Sequence, residues 1–149
     1  MKRRTAVGAI ITMESKFLLI NKISEHDIKS NKFQPSIDFI KGGVKEGETL
    51  IDALKREIKE EINITCDKYD IKCQVDEPLY FEFQDSPIYV DQLTWFFIIK
   101  INDSNIKFKP DASEVGGIYL LDYCEMLEKI TFKETKDYIL CISEKYNLF

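Results

Sequence analysis

Residues Gly42 to Ile64 read GGVKEGETLIDALKREIKEEINI and carry three carboxylates, Glu57, Glu60 and Glu61, close together. A helix of 3.6 residues per turn advances about 100° per residue. With Glu57 at zero, Glu61 lies at roughly +40° and Glu60 at roughly −60°, so all three share one face. Clustered carboxylates repel one another unless a cation compensates them. Oxygen-only ligands suit a hard divalent cation such as magnesium, manganese or calcium. Magnesium keeps several waters and commonly binds phosphates, which points to metal-assisted hydrolysis of a phosphoanhydride. Ahead of the glutamates, Gly42 and Gly43 let a ligand approach closely and can offer a backbone carbonyl oxygen.

The same segment specifies its own helix. Thr49 can cap it, with Asp52 three residues on. Ile51, Leu54, Ile58 and Ile62 recur at helical spacing as an apolar stripe, and Lys55 and Lys59 fall on the opposite, solvent side. Arg56 flanks the acidic face, one turn before Glu60. Three glutamates alone would fit a solvated helix face better than a metal site, so the residues around them decide.

Gly42, Glu48, Arg56, Glu57, Ile58, Glu60, Glu61 and Ile64 all match G-x5-E-x7-R-E-U-x-E-E-x-G-U, where U is a bulky aliphatic residue. This pattern resembles the Nudix box, and on it the chain is similar to the Nudix hydrolases. Asn63 departs from the box, which has glycine there. The position follows the helix, where a left-handed residue often ends it, and asparagine is the next best residue after glycine. The resemblance implies an α/β/α sandwich around a mixed sheet, with magnesium as cofactor and manganese as a possible substitute. It makes Glu57, Glu60 and Glu61 the metal ligands, joined by a loop contact from Gly42 or Gly43. Glu57 would also orient or deprotonate the attacking water, and Arg56, with Glu48, would hold the glutamates. Many family members take a further glutamate from a distant loop; Glu114 is the candidate here, as catalytic base.

Substrate choice lies outside the box. Asp38-Phe39-Ile40-Lys41-Gly42 resembles the FPKG lead-in of dinucleoside tetraphosphate hydrolases, with Ile40 in place of the proline and Lys41 kept for a phosphate. The stretch Phe132-Lys133-Glu134-Thr135-Lys136 also resembles that subfamily's C-terminus. Tyr80, Phe83 and Tyr89 are candidates to stack on a base or to pack in the core. The first expectation is therefore water attack on phosphorus in a dinucleoside polyphosphate such as diadenosine tetraphosphate. A nucleoside triphosphate pyrophosphohydrolase on the same scaffold is the second. The third is a nucleotide-sensing module that binds without cleaving, which the intact glutamates disfavour.

The elements that must position these groups follow from pattern. Strands are expected at Ala6–Thr12, Lys16–Asn21, Leu79–Phe83, Leu93–Ile101 and Val115–Leu121, with the fourth central by its unbroken hydrophobicity. A long loop is expected over 23–36, and helices near 50–62, 123–129 and 133–146, the last with Thr131 and Glu134 as a capping box. Strands, helix, strands, helix make an α+β arrangement in one domain over 1–149. A length of 149 residues with 44% hydrophobic residues supports a core without staples.

Net charge −5 argues against a general nucleic-acid binder and gives no support to an RNA 5′-end substrate. It also requires any phosphate site to attract its anion locally. Cys66, Cys73, Cys124 and Cys141 form no CxxC pair, and His26 is the sole histidine, so zinc and a Ser-His-Asp triad are disfavoured. The thiols are expected to be reduced and mostly buried. The N-terminus lacks the pattern of a signal peptide, and no apolar run approaches a membrane span. A cytoplasmic enzyme acting on a small nucleotide is expected; the sequence leaves its oligomeric state open.

Overall fold

The computed structural model describes residues 2–23, 36–85 and 88–149, apart from the side chains at 84 and 85. The loop expected over 23–36, with His26 on it, and the turn at Ser86 and Pro87 therefore lie mostly outside the described residues. Strand β1 (Lys2–Met13) and β2 (Lys16–Lys22) are joined by a two-residue turn. Glu14 and Ser15 sit there at φ 51° and 64°, the positive values that such a hairpin turn needs. β3 (Ser36–Asp38) and β4 (Ile40–Gly43) form one broken strand. β3 pairs with β2 while β4 pairs with β1. The two strands of the hairpin thus splay apart, and the broken strand bridges the gap.

Helix α1 (Leu50–Ile62) follows, then a short 3-10 turn (Cys66–Lys68), β5 (Asp70–Gln74), β6 (Leu79–Asp85), β7 (Ile88–Ile101) and β8 (Val115–Leu121). Helices α2 (Tyr123–Lys129) and α3 (Lys133–Ile142) close the chain. Strand β7 is central as expected, flanked by β1 in parallel and by β5 and β6 antiparallel. The sheet is mixed. Its longest pairing extends β1 beyond the predicted Ala6–Thr12: Lys2 stands opposite Val90 and Met13 opposite Ile101. The basic residues Arg3 and Arg4 thereby become part of the sheet.

Alternation along the strands divides the core between two faces. Val7 and Ile11 on β1, with Phe97 and Ile99 on β7, pack beneath Leu54 and Ile58 of α1. Ile10, Phe39 and Phe96 face the other way and meet Met126 of α2 and Ile139 of α3. Helices on both faces of a mixed sheet are the α/β/α sandwich that the box implied.

Two expectations are corrected. Thr131 does not cap α3; the cap position is Phe132, with no side-chain bond. The Thr131 hydroxyl instead accepts from Ile37 N at 2.8 Å, and Thr131 N donates to Ile37 O at 3.0 Å, which ties the linker between α2 and α3 to the free edge of β3. The four cysteines are exposed, not buried. They lie on the short 3-10 turn, on β5 with its bulged pairing, and on the outer sides of α2 and α3, where the core does not reach.

Candidate active site

Thr49 accepts from Asp52 N at 3.1 Å and starts α1; Asn63 ends it at φ 57°, ψ 45°, the left-handed conformation expected of it. Between these caps, the burial of the glutamates follows their angle from the apolar stripe. The stripe is centred at roughly +100° relative to Glu57. Glu61 lies nearest to it and its side chain is 2% exposed; Glu57 is next at 12%, and Glu60, farthest away, is 46% exposed. Burial pushes the Glu61 carboxyl up to about 8, against the pull of Lys22, with Glu57, Glu114 and Glu60 adding to the rise. Burial also raises Glu57, opposed chiefly by its hydrogen bond from Arg56.

Arg56 is the clamp of the site. Its Nε donates to Glu48 Oε2 at 2.7 Å and its Nη2 to Glu48 Oε1 at 2.9 Å, a two-pronged pair. Its Nη1 donates to Glu57 Oε1 at 2.7 Å and Glu60 Oε2 at 3.3 Å, while Nη2 also reaches Gly43 O at 2.8 Å. One planar cation thus joins loop, helix and β4. Its hydrogen bond to Arg56 draws Glu48 down to about 2.

The loop that carries Glu114 is fastened to the end of α1. Lys109 N donates to Ile62 O at 3.0 Å and Asp111 N to Glu61 O at 3.1 Å. These bonds satisfy carbonyls that a helix terminus leaves open. Glu114 then lines the same cleft as the helix glutamates. The cleft holds about 420 Å³, and Arg4, Lys22, Gly42 and Gly43 border it as well.

A second cavity of about 220 Å³ opens beside it, walled by Phe81, Phe83 and Phe132 with Gln92 and Thr94. Arg4, Lys22, Lys41 and Gly42 border both spaces, so the two are contiguous. Lys41 lies between them, its ammonium 2.8 Å from Asp38 Oδ2 and 3.3 Å from Thr135 Oγ1, over the ring of Phe96. Tyr80 borders neither. Alternation along β6 puts Phe81 and Phe83 on the cavity side and Tyr80 on the reverse, where its hydroxyl donates to Glu82 at 2.6 Å. Tyr89 is exposed and also outside both.

Arg4, Lys22, Phe81, Gln92 and Thr94 line this site without a signal read from the sequence, and Phe132, noted there for its C-terminal resemblance, proves to be a cavity wall. Lys22 ends β2, donates to Lys41 O at 3.3 Å and stands 3.8 Å from Glu61 Oε1. The basic run Lys2-Arg3-Arg4 was the available hint, since strand alternation turns one arginine inward and the other out.

The donor set fits a hard divalent cation. Glu61 Oε2 is buried with no hydrogen-bond partner, an expensive state for a carboxylate that a cation relieves. Gly42 leaves room for the Glu57 carboxylate, and all the acidic donors are oxygens. Among the described residues the glutamates do not converge as a finished cage, because Arg56 takes oxygens of Glu57 and Glu60.

The NUDIX domain model matches residues 2–140, and the chain belongs to the Nudix family. It is a hydrolase that acts on phosphoanhydride bonds; the family generally uses divalent metal ions and acts on small nucleotides. An RNA pyrophosphohydrolase of Ruthia magnifica subsp. Calyptogena magnifica is 28% identical over 137 residues, 85% of this chain and 72% of that relative. The fold is shared with an Ap4A hydrolase of C. elegans in a binary complex, at TM-score 0.74 and 18% identity, covering 98% of this chain and 99% of that one. The E. coli dihydroneopterin triphosphate pyrophosphohydrolase superposes at 0.72 with 16% identity, covering 93% and 95%. Among the described residues, no helix is long and apolar enough to cross a membrane.

Proposed function

We propose that this chain acts as one catalytic domain that hydrolyses dinucleoside polyphosphates, diadenosine tetraphosphate in particular, by water attack on phosphorus. One observation carries the choice. The two short stretches that resemble dinucleoside tetraphosphate hydrolases, 38–42 and 132–136, meet across a single cavity. Phe132 walls it, and Thr135 accepts from Lys41 at 3.3 Å. The ring-lined cavity fits a base, and the adjoining carboxylate cleft fits the metal-phosphate end of the same molecule.

Glu57, Glu60 and Glu61 are the residues to hold the cation, with Gly42 leaving space for Glu57. Magnesium, or manganese in its place, would supply charge neutralisation on the phosphate oxygens and an acidified water. Arg56, anchored by Glu48, keeps Glu57 and Glu60 in place. Glu57 and Glu114 line the cleft from different elements, and either would take a proton from the attacking water.

Incubation with magnesium and a nucleotide panel, with products separated by chromatography, tests the reading. ATP plus AMP from diadenosine tetraphosphate supports it. Pyrophosphate released from a mononucleotide would move the assignment to a nucleoside triphosphate pyrophosphohydrolase. Binding without turnover would leave a sensing module. The bacterial relative supports including a 5′-triphosphorylated RNA oligonucleotide in the panel.

A further inference from the structure

We propose that Arg4 grips the polyphosphate of the nucleotide, at the junction of the ring-lined cavity and the acidic cleft. This rests on the nucleotide reading above. The first support is register. Arg4 on β1 stands opposite Gln92 on β7, and Gln92 stands opposite Phe81 on β6. The three form one row across three strands, on the face that lines the cavity. Neighbouring strands lie about 4.8 Å apart, so the backbones that carry Phe81 and Arg4 stand about 10 Å apart across the row. A nucleotide laid along it puts its base on Phe81 and its phosphates at Arg4.

The second support is charge. The site must attract an anion inside a chain of net charge −5. Most of its cations are already committed. Arg56 is held by Glu48, Glu57 and Glu60; Lys41 is paired with Asp38; Lys22 lies against Glu61 and Lys41 O. Among the described residues Arg4 makes no ion pair, although its outward neighbour Arg3 pairs with Asp91. A guanidinium is a planar fork that matches phosphate oxygens in pairs.

The third support is the surface beneath it. A Cβ at residue 43 would meet Arg4 Nη2 at 2.5 Å and Nε at 2.9 Å. Gly43 is not a fixed position of the box, yet here its bare backbone lets the guanidinium lie against β4, between the two spaces.

Calorimetric titration with a methylene-bridged ATP analogue in magnesium tests the assignment, because binding is read without turnover. Arg4→Gln is expected to weaken binding at least about tenfold, as for loss of a charge-assisted hydrogen bond, and to flatten its dependence on salt. Arg4→Lys should fall between, keeping the charge and losing the fork. Gly43→Ala, which displaces the guanidinium and keeps the charge, should also weaken binding. Affinity of Arg4→Gln within about twofold of wild type, below what a charge-assisted contact contributes, overturns the proposal. So does a weakening with unchanged salt dependence, which would mark a structural role, and so does a wild type that fails to bind the analogue. A wild type that binds it through Arg4 yet leaves diadenosine tetraphosphate intact removes only the named substrate.

Discussion

Gly42 and Glu57 occupy one another's space: a Cβ at residue 42 would lie 1.9 Å from Cδ of Glu57. The first glycine of the box is therefore a steric requirement of a glutamate 15 residues later. Gly42→Ala must drive the Glu57 carboxylate away from Arg56 and out of its place in the cleft. The expected result is a fall in kcat of about 100-fold, the scale for losing one electrostatic contact in a preorganised site. Steady-state rates with magnesium check this, and a rate near wild type would show that Glu57 can work from another position.

The helix glutamates should divide activity from stability. Glu60→Gln and Glu61→Gln are each expected to cut the rate at least about 100-fold, and Glu114→Gln less. Glu61 is also buried with an unpartnered oxygen, so in the metal-free protein Glu61→Gln should raise Tm by about 2–4 °C, the shift for about 1 kcal/mol. Magnesium should then raise the wild-type Tm and leave that of Glu61→Gln nearly unmoved. Thermal melts with and without a chelator read both effects.

Acid should loosen the clamp at Glu48. Its carboxyl is held at about 2 by Arg56, below the ordinary 4.5. A depressed folded-state value stabilises the fold above the unfolded value and loses that contribution as pH falls through the folded one. Tm should therefore decline from about pH 4.5 towards pH 2, beyond the decline that other carboxylates cause. Glu48→Gln, which cannot titrate, should show a shallower decline over that window.

Lys41 and Asp38 make a mostly buried pair at 2.8 Å, with side chains 17% and 8% exposed. Removing one partner strands the other charge. Lys41→Met is expected to cost about 3 kcal/mol in denaturant unfolding, and Asp38→Asn combined with it should recover much of that loss. A single variant as stable as wild type would show that Asp38 finds another partner.

Much of this was legible in the chain itself. The helix at 50–62 is local: its caps, its stripe and the angles of its glutamates depend on spacing alone, and even the order of their burial follows from the angle to the stripe. The central strand at 93–101 announced itself by unbroken hydrophobicity, because both its faces are covered. The box, read by spacing, led to the family. What spacing leaves open is which distant segments become neighbours, because that depends on strand register. Parallel pairing with β7 drew Lys2 to Arg4 into the sheet and set Arg4, Gln92 and Phe81 in one row. The same alternation turned Tyr80 away from the cavity and Phe81 towards it. Lys41 read as a phosphate contact; the fold pairs it with its neighbour Asp38 and brings Thr135 to it. A side chain's type is set by sequence, but the charge it has left to offer depends on what the tertiary structure packs against it.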